Sequence, residues 1–219
     1  MTIRIATGDA LTVLRQLPSE LAHTAITSPP YWMTRDYGVE GQLGREPTPQ
    51  EYVESLCGVL DELRRVLRKD GSCWVVMGDT YFGRNSVGRR KSLASVPSRF
   101  EIAMTERGWI LRNRIVWHKP NAIPTSIKDR FTIDYEFVFF FAKNEKYYFD
   151  RQVEKALFPG GVHVNKRAGS KGETIKRTVN PTYFARNVVT GEFRNRRCVW
   201  TITTARCPEA HFAVYPEEL

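Results

Sequence analysis

The run Thr27-Ser28-Pro29-Pro30-Tyr31-Trp32 gathers groups that could hold and orient a ligand. The Ser28 hydroxyl and the Pro29 carbonyl are hydrogen-bond acceptors, proline rigidity fixes their direction, and Tyr31 offers a flat aromatic face. The run follows Ala22 to Thr27, which reads as a strand, and open α/β sheets bind ligands at the carboxyl ends of their strands. The structural alternative is a proline-stiffened turn with an aromatic packed beside it. The tetrapeptide alone leaves both readings open.

Such a turn needs a sheet to position it, and strand and helix periods alternate along the chain. Thr2 to Ala6 reads as a short strand, and a helix with Leu11, Leu14 and Leu17 on one face stops at Pro18. Thr48-Pro49-Gln50-Glu51 is a capping box with proline at the first helical position. Tyr52, Leu56, Leu60, Leu63 and Leu67 then line one face up to Gly71. Cys73 to Met77 reads as a buried strand, Pro97 to about Gly108 as a helix, and Trp109 to Trp117 as a strand. Tyr135 to Ala142, the turn Lys143 to Lys146 and Tyr147 to Phe149 suggest an antiparallel hairpin at the sheet edge. The expected fold is α/β, mostly parallel, with basic loop insertions.

A chain of 219 residues with 42% hydrophobic content can bury one sizeable core, so global disorder is excluded. No apolar run approaches a membrane span and the start lacks the blocks of a signal peptide, so a cytoplasmic protein is expected. Cys57, Cys73, Cys198 and Cys207 show no C-x-x-C spacing, and neither zinc nor disulfides are expected. The net charge of +9 is uneven. From His163 to Arg197, Lys166, Arg167, Lys171, Lys176, Arg177, Arg186, Arg194, Arg196 and Arg197 face only Glu173 and Glu192. Interleaved with Tyr183, Phe184, Phe193 and several glycines and asparagines, they suit a nucleic-acid surface better than a plain solvated face. A second basic segment, Gly83 to Ser95, carries Arg84, Arg89, Arg90 and Lys91. Long loops inside compact domains are usually functional or flexible.

The surroundings of the turn sharpen its meaning. Gly8-Asp9-Ala10-Leu11 precedes it; Arg35-Asp36-Tyr37-Gly38, Gly41-Gln42-Leu43-Gly44, Gly78-Asp79-Thr80-Tyr81, Trp117-His118-Lys119-Pro120-Asn121 and His211 to Leu219 follow. This ordered set resembles, over essentially the whole chain, the permuted (beta-type) S-adenosylmethionine-dependent DNA amino-methyltransferases of restriction-modification systems. The resemblance implies a Rossmann-like methyltransferase sheet, a double-stranded DNA partner, and methyl transfer to an exocyclic base amine after base flipping. It assigns catalysis to Ser28, Pro29, Pro30 and Tyr31, and cofactor contacts to Asp9, Thr27, Ser28 and Phe212. For Asp9 a helix cap is the alternative, and for Phe212 a core aromatic. Asp79 reads as structural, and His118 as a packing or hydrogen-bonding histidine. DNA binding falls to Arg84, Arg89, Arg90, Lys91, Lys166, Arg167, Lys171, Lys176, Arg177, Arg194, Arg196 and Arg197.

In that family an S-P-P-Y motif is commonest among cytosine-N4 enzymes, so Ser28 favours N4 of cytosine over N6 of adenine. The implied organisation is a catalytic core over 1–157, a basic target-recognition region over 158–199 and a return segment over 200–219. The family's glycine-rich cofactor loop, normally found after the Pro-Glu-Glu-Leu segment, has no counterpart before Leu219. The expectation is therefore a truncated chain or one part of a split enzyme, completed by a complementary polypeptide bearing that loop. A DNA-binding subunit inactive without a partner is the alternative from another class.

Overall fold

The computed structural model describes residues 3–84, 87–155, 193–205, 216 and 219. Two compact units form, Met1–Tyr148 with Cys198–Leu219, and Phe149–Arg197. In the larger unit the order is α1 (Ala10–Gln16), β1 (Ala22–Thr27), α2 (Pro49–Val66), β2 (Leu67–Met77), α3 (Val96–Glu106), β3 (Ile110–His118) and β4 (Tyr135–Ala142). The smaller unit contributes β5 (Val153–Lys155) and β6 (Phe193–Asn195), paired antiparallel, and β7 (Val199–Thr201) returns to the larger unit.

Five strands form one sheet in the order β1-β2-β4-β3-β7. β1 runs parallel to β2 and β7 parallel to β3, while β4 is antiparallel to both its neighbours. β2 alternates about the sheet, as strand geometry requires. Cys73, Val75 and Met77 face the cluster built with Phe139, Phe141, α2 and α3, whereas Val76 faces Ile115, Trp117, Val138 and Ile202. Trp74 and Phe140 are cross-strand partners and stack with centroids 4.2 Å apart.

α2 forms where its signals place it. Thr48 accepts from the Glu51 amide, Glu51 accepts from the Thr48 amide, and Tyr52, Leu56 and Leu60 are buried. The helix stops at Val66, before Leu67: Leu67 is extended, wholly buried and paired with Ala22. Gly71 therefore does not end the helix. A Cβ there would lie 2.9 Å from the Arg68 carbonyl oxygen and 3.1 Å from that of His23, so glycine permits a close backbone approach where the β1–β2 register shifts.

Two expected elements are absent among the described residues. Residues 3–6 form no strand, and Ile3 and Ile5 are exposed. A strand needs a partner, and among the described residues β1 is paired only with β2. Residues 147–149 form no hairpin arm either, because β2 and β3 occupy both edges of β4. The antiparallel element of the sheet is thus β4 lying between β2 and β3. No helix among the described residues is long and apolar enough to cross a membrane.

Candidate active site

The sheet brings several strand ends to one place. β1 ends at Thr27, which pairs with Val75, and β2 ends at Met77, which pairs with Phe137 near the start of antiparallel β4. β3 ends there too, with Trp117 opposite Glu136. The turn after β1 thus leaves the sheet where Gly78 and Glu136 stand.

The turn is held mainly from behind. Pro29 is buried, and the Tyr52 hydroxyl of α2 donates to the Pro30 carbonyl at 2.9 Å. Burial, first of all, raises the Tyr52 phenol well above its ordinary pKa, so it remains a donor. Gly44 has φ +94°, and a Cβ on it would sit 3.1 Å from the Tyr31 carbonyl oxygen and 3.2 Å from that of Pro30. Its carbonyl accepts from the Met33 amide at 2.7 Å. Trp32, buried edge-on to Phe82, donates from Nε1 to the Glu46 carbonyl, while the Glu46 carboxylate accepts from the Gly44 amide. These bonds fix the main chain of Pro30 to Met33 from the protein side.

On the other side Ser28 is exposed, and among the described residues its hydroxyl and the Pro29 carbonyl have no hydrogen-bond partner. Tyr31 is half-buried, and its hydroxyl donates to Glu136 Oε2 at 2.8 Å. The other oxygen of Glu136 pairs with Lys119, whose ammonium lies 4.2 Å from the Trp117 ring centroid. The arrangement presents two adjacent acceptors and a tethered aromatic ring. Chemically, that set can accept protons of an amine and stack a planar group.

Neighbouring residues divide between structure and surface. Asp79 accepts from the Thr80 and Val96 amides, so it secures the entry to α3; burial raises its carboxyl pKa against the lowering effect of those bonds. His118 meets Thr201 Oγ1 at 3.3 Å and Asp134 at 3.6 Å, an ordinary hydrogen-bonding histidine at the end of β3. Asp9 caps α1 through the Thr12 amide at 2.8 Å, and the Thr12 side-chain hydrogen bond, with that amide, lowers its carboxyl pKa. Burial pushes the Cys57 and Cys73 thiols up to about 12, which leaves neither a ready thiolate.

Arg84, Arg89, Arg90 and Lys91 are exposed on an excursion closed at its base by the Tyr81–Leu93 bridge, and Lys91 pairs with Asp129. In the smaller unit Arg194 and Arg197 share Glu154, at 2.8 and 2.9 Å, and Arg196 is exposed. Lys166, Arg167, Lys171, Lys176, Arg177 and Phe212 lie outside the described residues. Sequence reasoning missed Glu136, Tyr52 and Glu46. Glu136 had a signal, since it is the one carboxylate within Tyr135–Ala142.

Comparison with known proteins shows the family. The sequence model of a family described as DNA methylase, of the N6 and N4 type, matches residues 22–219. The chain belongs to this family. Type II methyltransferase M.XycI of Xanthomonas campestris pv. cyanopsidis is 37% identical over 97% of this chain, which spans 68% of that protein. PvuII DNA methyltransferase, described as cytosine-N4-specific, is 25% identical with a TM-score of 0.52, over 64% of this chain and 49% of its own. A putative DNA modification methylase from Thermus thermophilus, solved with S-adenosyl-L-methionine, shares the fold at a TM-score of 0.51 and 22% identity, over 89% of this chain and 66% of its own. The sheet of this methylase is accordingly the Rossmann-like methyltransferase sheet.

Proposed function

We propose that the protein transfers a methyl group from S-adenosylmethionine to the exocyclic N4 amine of cytosine in a specific DNA sequence, after flipping the base out of the duplex. The observation that carries this reading is the pair of acceptors, Ser28 Oγ and the Pro29 carbonyl, that are unengaged among the described residues, beside the tethered Tyr31 ring. An amine conjugated into its ring is a poor nucleophile, so the site must hold its nitrogen in line with the methyl carbon. Ser28 and Pro29 accept hydrogen bonds from the amine and favour the developing positive charge on nitrogen, and Tyr31 stacks on the extruded base. The N–C bond would form as the S–C bond breaks, S-adenosylhomocysteine would leave, and the surplus amine proton would pass to solvent. S-adenosylmethionine supplies an electrophilic methyl on a sulfonium centre.

For that cofactor we assign Asp9, Thr27, Ser28 and Phe212. The donor set fits: Asp9 is an exposed carboxylate kept ionised by Thr12, suited to accepting from the adenine amine, and Thr27 ends the strand that delivers the turn. DNA backbone contacts fall to Arg84, Arg89, Arg90 and Lys91 and to the basic residues from Lys166 to Arg197, in keeping with the net charge of +9. Further strands and a glycine-rich cofactor loop, from a complementary polypeptide segment, would add at the free edge of β1, which among the described residues pairs only with β2.

Ser28 at the head of the motif supports cytosine, as does the specificity stated for the PvuII enzyme. The test is to incubate the protein with S-adenosylmethionine and duplex DNA, digest the DNA and identify the nucleosides. N4-methylcytosine is expected. N6-methyladenine would overturn the base assignment, and DNA binding without any methylated nucleoside would favour a binding subunit.

A further inference from the structure

We infer that Glu136, held by Lys119, is a positioning residue that fixes the direction of the Tyr31 ring for stacking on the extruded base. The inference rests on the reading of Tyr31 as the stacking face. Glu136, the second residue of β4, is the one charged residue of that strand: every residue from Phe137 to Ala142 is apolar and most are buried. The antiparallel direction of β4 puts its first residues where parallel β1 and β2 end, so the carboxylate meets a residue that follows a different strand. Its bond to the Tyr31 phenol, 2.8 Å long, has a carboxylate acceptor, and such charge-assisted bonds are stronger than neutral ones.

The environment of this carboxylate argues for a role beyond stability. The side chains of Lys119 and Glu136 are only 16% and 20% exposed. A largely desolvated ion pair contributes little net stability compared with apolar packing, and its best-attested use is to specify one arrangement. The arrangement specified here is the ring's. A Cβ at Gly78 would fall 3.0 Å from Tyr31 Cε2, so the backbone of Gly78 lies close along one edge of the ring. Gly44 closes against the main chain of the same residue. The bond at the phenol tip fixes the direction of the ring axis, and the Gly78 backbone along one edge limits rotation about that axis. A ring fixed before DNA arrives loses no rotamer freedom when the base stacks on it, and misplacement of a positioned group is costly to transfer.

The test is a double-mutant cycle in the full protein, read as single-turnover methyl-transfer rate and, separately, DNA affinity and melting temperature. Glu136→Ala is expected to slow transfer about 10- to 100-fold. DNA affinity should stay within about twofold, because phosphate contacts dominate it. In a Tyr31→Phe background, which has no phenol to hold, the further loss from Glu136→Ala should vanish. Glu136→Gln keeps an acceptor for the phenol and should recover part of the rate; it also carries the test should Glu136→Ala not fold. Additive losses in the cycle, or a wild-type rate for Glu136→Ala, would overturn the positioning role. A wild-type rate for Tyr31→Ala would instead overturn the stacking role itself, and the two failures are thus distinguishable.

Discussion

Ser28→Ala is expected to slow methyl transfer by about 10- to 1,000-fold, up to the effect of losing one preorganised hydrogen-bonding group at a transition state. Melting temperature should not move, since Ser28 is exposed and makes no hydrogen bond among the described residues. The turn itself is anchored elsewhere, through Tyr52 on the Pro30 carbonyl and Gly44 against Tyr31. Quench-flow measurement of a single turnover, alongside a thermal melt, separates the two effects. Wild-type turnover in this variant would remove Ser28 from the site, and a large drop in melting temperature would make it structural.

Tyr31→Ala should lower turnover about 5- to 150-fold, because base–aromatic stacking contributes about 1–3 kcal/mol per base. The variant also leaves the Glu136 carboxylate, which is mostly buried, without the phenol that donates to it. DNA affinity should fall far less, since in the proposed role the ring meets only the flipped base while cationic side chains hold the phosphates. Fluorescence-anisotropy titration with duplex DNA, set against the single-turnover rate, checks the split. Equal losses in both would count against this assignment of Tyr31.

The parts of the fold that could be read in the sequence are those whose determinants are local. α2 announces itself through the reciprocal bonds of Thr48 and Glu51 and through Tyr52, Leu56 and Leu60 on one face. β1 and the apolar heart of β2 follow from composition and from the turn residues that bound them. What the sequence could not show is partnership. Residues 3–6 and 147–149 have strand-like composition, yet the first find no neighbour beside β1 and the second meet a β4 already paired on both edges. Leu67 continues the apolar stripe of α2 but serves β2, because pairing with Ala22 outweighs a helical pattern at its last position.

The site divides along the same line. Ser28 to Tyr31 draw notice by residue type, two adjacent prolines beside a hydroxyl and an aromatic at a strand end, and take on a role only through the ordered motifs around them. Glu136 is 105 residues from Tyr31 in sequence, and only the antiparallel setting of β4 brings them together. Lys119 lies in a motif that the resemblance marks, but its pairing with Glu136 depends on the β3–β4 register, which sets Trp117 opposite Glu136. Arg194 and Arg197 likewise read as plain positive charge until Glu154 is found between them.

The central claim is that the turn after β1 holds the amine of an extruded base, and the direct measurement is a structure of the protein with duplex DNA and S-adenosylhomocysteine. The account predicts the target cytosine outside the helix, its ring stacked on Tyr31 and its exocyclic nitrogen about 3 Å from both Ser28 Oγ and the Pro29 carbonyl oxygen. A target base bound with its amine on other groups, and with Tyr31 away from its face, would contradict the account.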